Sequence, residues 1–151
     1  MDFELKGKKA IVSAGGSGIG YTIVEEFVKQ GVSISTCDID ENLVQELRNK
    51  YPQIYAEVID VGDERAVKKF CIKSIEFLGG LDCLVNNAGV AGPTLSIEEI
   101  DAEDWSHCLN VCLSSQFYFV KSCLKQLRKS SSASIVTVSY THLTLPTKRI
   151  V

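Results

Sequence analysis

Residues Ser13 to Gly20, Ser-Ala-Gly-Gly-Ser-Gly-Ile-Gly, place small side chains directly after a short apolar run and ahead of a helical apolar period. A turn of this kind leaves backbone N–H groups pointing outward at a helix N-terminus. Only small side chains let an anion approach them. Gly15, Gly18 and Gly20, with Ser17 and Ile19 between them, are spaced G-x-x-G-x-G, which differs from the G-x-G-x-x-G dinucleotide fingerprint. The chemistry favoured is diphosphate binding; the alternative is a glycine-rich connector that serves packing. Asp38 ends the second β-rich run, eighteen residues after Gly20, close to the ~20-residue offset of an acid that holds a ribose diol. Such a carboxylate accepts from both ribose hydroxyls and repels a 2′-phosphate. NAD is therefore expected over NADP, and the next residues, Ile39 and Asp40, supply no arginine. The other reading of Asp38 is a helix cap, a role Asp40 can also fill.

Two asparagines extend the candidate site. Asn87 falls at the carboxyl end of a predicted parallel strand, where open α/β sheets bind ligands. Asn110 is polar among apolar neighbours, Leu109-Asn-Val-Cys-Leu113, where burial is costly without a partner. Its alternative is a residue on the helix surface.

The elements that must position these residues alternate short β-rich runs with longer helical periods. Strands are predicted at 8–13, 32–37, 54–59, 81–85 and 134–138. A first helix carries Ile19, Ile23, Val24 and Phe27, and Gly31 closes it. A second covers 41–50, and Pro52 ends it. A third, capped by Asp63, runs to Gly79-Gly80. A long helix after Asp101 carries a continuous apolar stripe of Leu109, Leu113, Phe117, Val120, Leu124 and Leu127. Strands separated by such helices imply right-handed crossovers, hence a doubly wound parallel α/β sheet of Rossmann-like order 3-2-1-4-5.

The 151 residues fit one domain, and 45% hydrophobic with 23% charged residues excludes a disordered tail, a collagen-like rod and a membrane bundle. Residues 1–9 show no apolar signal region. A net charge of −3, with no block of like charge, argues against nucleic acid or an anionic membrane as the main partner. The six cysteines form no C-x-x-C pair and fall mostly in apolar-periodic segments, so packing in a reducing cytoplasm is expected. Cys108 and Cys112 stand four apart and with His107 offer an alternative as metal ligands; no metal is expected.

With these motifs in order, the chain to about Thr137 resembles the short-chain dehydrogenase/reductase family. Ser13–Gly20 is similar to that family's T-G-x-x-x-G-x-G cofactor loop, with Ser13 at the threonine and Ala14 at the first glycine. Asp60-Val61 matches the pair that packs around adenine, and Asn86-Asn87-Ala88-Gly89 matches N-N-A-G beside the cofactor. Asn110 matches the helix asparagine that holds a water in the proton relay. The resemblance implies hydride transfer between NAD and a small alcohol or carbonyl substrate, in an enzyme that pairs through its long helix as a homo-oligomer.

The family's chemistry also needs a tyrosine followed four residues later by lysine. Tyr21, Tyr51, Tyr55, Tyr118 and Tyr140 are followed at that position by Glu25, Tyr55, Ile59, Ser122 and Thr144. The catalytic pair is absent from this chain, which is expected to be inactive by itself. Tyr140 stands where the alignment puts the catalytic serine, and Ser139 is the nearest substitute. Residues 1–137 are read as a partial cofactor-binding domain and 138–151 as a non-native tail, since 138–147 resembles translated sequencing-adapter DNA. Two rival classes are a nucleotide-binding module without turnover and a methyltransferase using S-adenosylmethionine. The Asp60-Val61 and Asn86–Gly89 motifs weigh against the second.

Overall fold

Strict side-chain alternation in the three inner strands sends residues to opposite faces of one sheet. The computed structural model describes residues 4–139. Its strands are β1 (Lys9–Val12), β2 (Ser33–Asp38), β3 (Tyr55–Val58), β4 (Cys83–Asn86) and β5 (Ser134–Thr137). All neighbours pair in parallel, in the order β3-β2-β1-β4-β5. This is the doubly wound α/β sheet read from the sequence, with strand ends shifted by one or two residues.

Helices cover both faces: α1 (Gly18–Lys29) and α2 (Glu41–Lys50) on one, α3 (Glu64–Leu78) and α5 (Ser115–Leu127) on the other. Ala10, Val12, Ile34 and Val85 point to the first layer with Val24 and Leu47. Ile11, Cys37 and Leu84 point to the second with Phe70, Phe119 and Cys123. Phe70 and Phe119 meet edge to face, centroids 6.2 Å apart, an arrangement the ring quadrupoles favour. Hydroxyls buried in the sheet are satisfied: Thr36 Oγ1 donates to the Val12 carbonyl at 2.8 Å, and Ser35 Oγ to Ser74 Oγ at 2.7 Å.

The predicted long helix differs in two ways. It is divided into α4 (Ala102–Leu109) and α5 by a π turn at Asn110–Ser114. Side chains serve the carbonyls around that wider turn: Ser115 Oγ donates to Val111 O at 2.6 Å and Gln116 Nε2 to Cys112 O at 2.7 Å. The inward face is also only partly the predicted one: Leu127 of the stripe is buried and Val120 packs against the core. Val111, Ser115, Phe119, Cys123 and Leu127 are buried, whereas Leu113 and Phe117 of the predicted stripe are 63% and 60% exposed. Two parallel rows of similar spacing run along this segment, and periodicity cannot rank them. Val67, Phe70 and Cys71 of α3 select the row they touch. The exposed row continues onto Ile135 of β5, while Val136 is exposed on the opposite face; all residues of this strand are exposed at the edge of the sheet.

Replacing Phe119 with Ala should lower the free energy of unfolding in urea by about 3–5 kcal/mol, while Phe117→Ala should change it by less than about 1 kcal/mol. Equal losses would show that the faces are misassigned. The bare row of apolar groups is also an association hazard. Sizing chromatography should show the chain associating, and a Leu113→Lys, Phe117→Lys variant should elute later.

Candidate functional site

The glycine turn is built around contacts that admit no side chain. A Cβ on Gly15 would stand 2.1 Å from Thr36 Oγ1. One on Gly20 would stand 2.0 Å from the Ala14 carbonyl and 2.5 Å from Asn87 Nδ2. One on Gly16 would meet Asp38 Oδ2 at 2.7 Å. Gly16 thus belongs to the device although the spacing argument passed over it; its position between two glycine-dependent residues was the available signal. Gly18 differs from these. It sits at φ +54 with nothing within 4 Å of where a Cβ would stand. Gly15 and Gly20 hold the turn together, and Gly18 leaves it open.

Asn87 and Ser13 tie this turn to β4. Asn87 Nδ2 donates to the Ser13 and Ala14 carbonyls at 3.1 and 3.0 Å. Ser13 Oγ accepts the Asn87 and Ala88 backbone N–H groups at 2.9 and 3.0 Å. The sequence reading gave Ser13 no role beyond a motif position. Its hydroxyl in fact secures the carboxyl end of β4, and a small hydroxyl residue closing β1 was the only trace of it.

Asp38 is buried at the end of β2. Its Oδ2 accepts the Gly16 N–H at 2.9 Å and its Oδ1 the Asp40 N–H at 3.2 Å. It does not cap the following helix. Asp40 does, accepting from the Asn42 and Leu43 N–H groups. Beside it, burial pushes the Cys37 thiol up to about 12, so this sulfur stays protonated and inert near neutrality.

A crevice of about 430 Å³ opens at the carboxyl ends of the strands. Its lining includes Ser17, Ile19, Asp38, Asp60, Val61, Asn87, Ala88 and Gly89, eight of the predicted residues. Ala14, Ile39, Ile59, Val90, His107 and Val111 complete it and were not singled out in the sequence as ligand contacts. These are mostly apolar, and only the crossing of four strand ends reveals them. Gly15, Gly18 and Gly20 support the wall without lining this crevice.

Two expectations need correction or relocation, and one alternative reading is set aside. Asn110 is exposed at the start of the π turn and does not line the crevice, so the burial argument for it fails. It continues the exposed run of α4, which buries no residue. Ser139 is exposed two residues past β5. Tyr140 and the rest of the tail lie outside the described residues. His107, Cys108 and Cys112 make no metal centre, since no group of three His, Cys, Asp or Glu among the described residues is placed to hold an ion.

The electrostatics of α1 set it apart. Asp40, Asp63 and Asp101 each cap a helix with their carboxylates, and each of those helices has an acid in its first turn. The N-cap of α1, Ser17, makes no side-chain cap bond, and its first turn carries no acid. Its first N–H groups and the positive end of its dipole are left for an external anion.

Comparison with known proteins agrees with this geometry. The short chain dehydrogenase family matches residues 8–148, a span that runs past the point where the motif pattern ends. An uncharacterized oxidoreductase of Thermotoga maritima is 33% identical over 141 residues, 91% of this chain and 55% of its own length. L-fucose dehydrogenase of Bos taurus is 35% identical over 92% of this chain and 51% of its own. A 3-oxoacyl-acyl-carrier-protein reductase of Chlamydia pneumoniae is 31% identical over 92% and 57%. The chain belongs to the short-chain dehydrogenase family. It spans about half the length of the curated relatives it matches.

Ala14, where the family pattern has glycine, adopts φ +52. A left-handed alanine costs about 1 kcal/mol, partly offset by the greater unfolded-state entropy of glycine. Ala14→Gly should therefore raise the unfolding free energy by about 0.5 kcal/mol, whereas Gly15→Ala, 2.1 Å from Thr36 Oγ1, should lower it and the melting temperature. A melt in which Ala14→Gly is the less stable variant would show that Ala14 carries no strain.

Proposed function

We propose that this chain is the cofactor-binding half of an NAD-dependent short-chain oxidoreductase that moves hydride between a nicotinamide and an alcohol or carbonyl carbon. The observation that carries the reading is the uncapped N-terminus of α1, beside an open glycine at φ +54 and a buried aspartate one strand away. These residues fit a dinucleotide. Ser17, Gly18 and Ile19 would face the diphosphate with backbone N–H groups, and Gly15 and Gly20 would keep that turn closed behind them. Asp38 already spends one lone pair of each oxygen on Gly16 and Asp40, and its remaining lone pairs would serve the ribose diol. Asp60 and Val61 would border the adenine, and Asn87, Ala88 and Gly89 the nicotinamide side. Bound there, the cofactor supplies the hydride chemistry.

Proton movement would use groups this chain only begins to supply. Asn110 and Ser139 are the proposed contributors; the Tyr-x-x-x-Lys pair is absent. The chain alone should bind without turnover. The buried Asn86 Oδ1 finds no hydrogen-bond partner among the described residues and borders a hollow with Leu113, Phe117, Ile135 and Thr137. That supports a longer enzyme whose further elements cover this face. A small-molecule substrate, a homo-oligomeric intact enzyme and a cytoplasmic location belong to the same proposal, as does the reading of 138–151 as a non-native tail. The missing catalytic pair also keeps a second reading in view, a nucleotide-binding module without turnover; reductase activity in a chain extended past residue 137 would exclude it.

Titration of NADH against the chain should enhance nicotinamide fluorescence, and NADPH should bind at least about tenfold more weakly, a difference of ~1.4 kcal/mol. Asp38→Ser should narrow that ratio, chiefly by weakening NADH. Equal affinities in the parent chain would overturn the NAD assignment, and no enhancement with either nucleotide would overturn the cofactor site.

A further inference from the structure

Two thiols meet one stretch of backbone at the lip of the crevice. Cys108 lies near the end of α4 and Cys112 in the π turn. Residues four apart on a helix stack on one side of it. Val90, in the loop after β4, sits against both. Its N–H donates to Cys112 Sγ at 3.3 Å, and its carbonyl accepts from Cys112 Sγ at 3.3 Å and from Cys108 Sγ at 3.9 Å. A Cβ on Gly92 would stand 3.5 Å from Cys108 Sγ, so the loop packs closely over the pair. Both thiols are half-buried, as is the solitary Cys83, while Cys37, Cys71 and Cys123 are buried. Burial, followed by the charge and hydrogen bonding of Cys112, raises the Cys108 thiol above its ordinary value. The two sulfurs therefore act on each other as well as on Val90.

We propose that Cys108 and Cys112 form a two-thiol binding site for a soft, thiophilic centre with two exchangeable ligands, of the trivalent arsenical class. The condensation balances without redox. Two As–O bonds break and two As–S bonds form. Each thiol proton leaves with one hydroxide as water, and arsenic stays trivalent. The helix geometry favours this bridge over a disulfide. Cβ atoms one helical turn apart are about 5–6 Å from each other, whereas a disulfide needs about 3.8 Å; a bridging atom spans the longer gap. Loading the site would take both thiol donors from the Val90 carbonyl and loosen the loop that lines the crevice. The competing pair, Cys71 and Cys123, is sealed between α3 and α5. The site does not depend on the cofactor reading.

The test uses phenylarsine oxide with the full chain, reduced beforehand by a phosphine. Intact mass should show one phenylarsenic per chain, and alkylation of the loaded, folded protein should spare Cys108 and Cys112. The second As–S bond is intramolecular, so Cys108→Ser or Cys112→Ser should each weaken uptake by about a hundredfold or more. The protection pattern of the parent chain decides the matter even if a variant fails to fold. Full-strength uptake by both serine variants, protection of Cys71 and Cys123 instead, or no uptake by the parent chain would each overturn the proposal.

Discussion

The turn between β1 and α1 has no room on its inner side. Three of its glycines face oxygen or nitrogen atoms at distances no Cβ tolerates, and the neighbours involved come from β2, the residue after β4 and the turn itself. That close approach fixes where α1 begins. α1 itself begins without a side-chain cap, next to the open position at Gly18. The rest of the site follows from this. Asp38 reaches the turn through the Gly16 N–H, and Asn87 through two turn carbonyls. The ends of β1, β2 and β4 are thus laced together by polar bonds at the mouth of the crevice, where strand pairing has stopped.

The other face of the molecule shows the opposite condition. α5 packs one apolar row against α3 and leaves a second in solvent, next to an unpaired strand edge and an unpartnered asparagine oxygen. Polar bonds thus close the turn at the mouth of the crevice, while burial stays incomplete beside β5. The π turn stands between these two conditions. It widens the helix just where the chain passes from the crevice lip, at His107 and Val111, to the core row of α5.

Much of this was legible in residue order. Strand alternation, Gly31 and Gly79 as left-handed stops, and Asp63 as a cap are local properties, and each appears where the sequence puts it. The strand order was legible from parallel-strand topology, and of the eight predicted residues that line the crevice Ser17, Ile19, Asp38 and Asn87 followed from motif spacing and strand ends, while Asp60, Val61, Ala88 and Gly89 came from the family resemblance. Less local features were not. Two apolar rows with one period look alike along a sequence, so Leu113 and Phe117 were expected inward together with Leu127, and of these three only Leu127 is buried. Asn110 was judged by its apolar neighbours in the chain, whereas it follows a helix, α4, that buries no residue in the fold.

The sequence by itself determined the doubly wound sheet, the helix ends and the need for small residues between Ser13 and Gly20, since these rest on backbone preferences and periods of a few residues. Only the tertiary structure decided that Asp40 caps α2 while Asp38 turns to the glycine loop, that Ser13 secures β4, and that Phe119 rather than Phe117 enters the core. For the aspartates and the phenylalanines, two chemically equivalent candidates lie close together in the chain. What separates them is a partner brought in from a distant strand or helix.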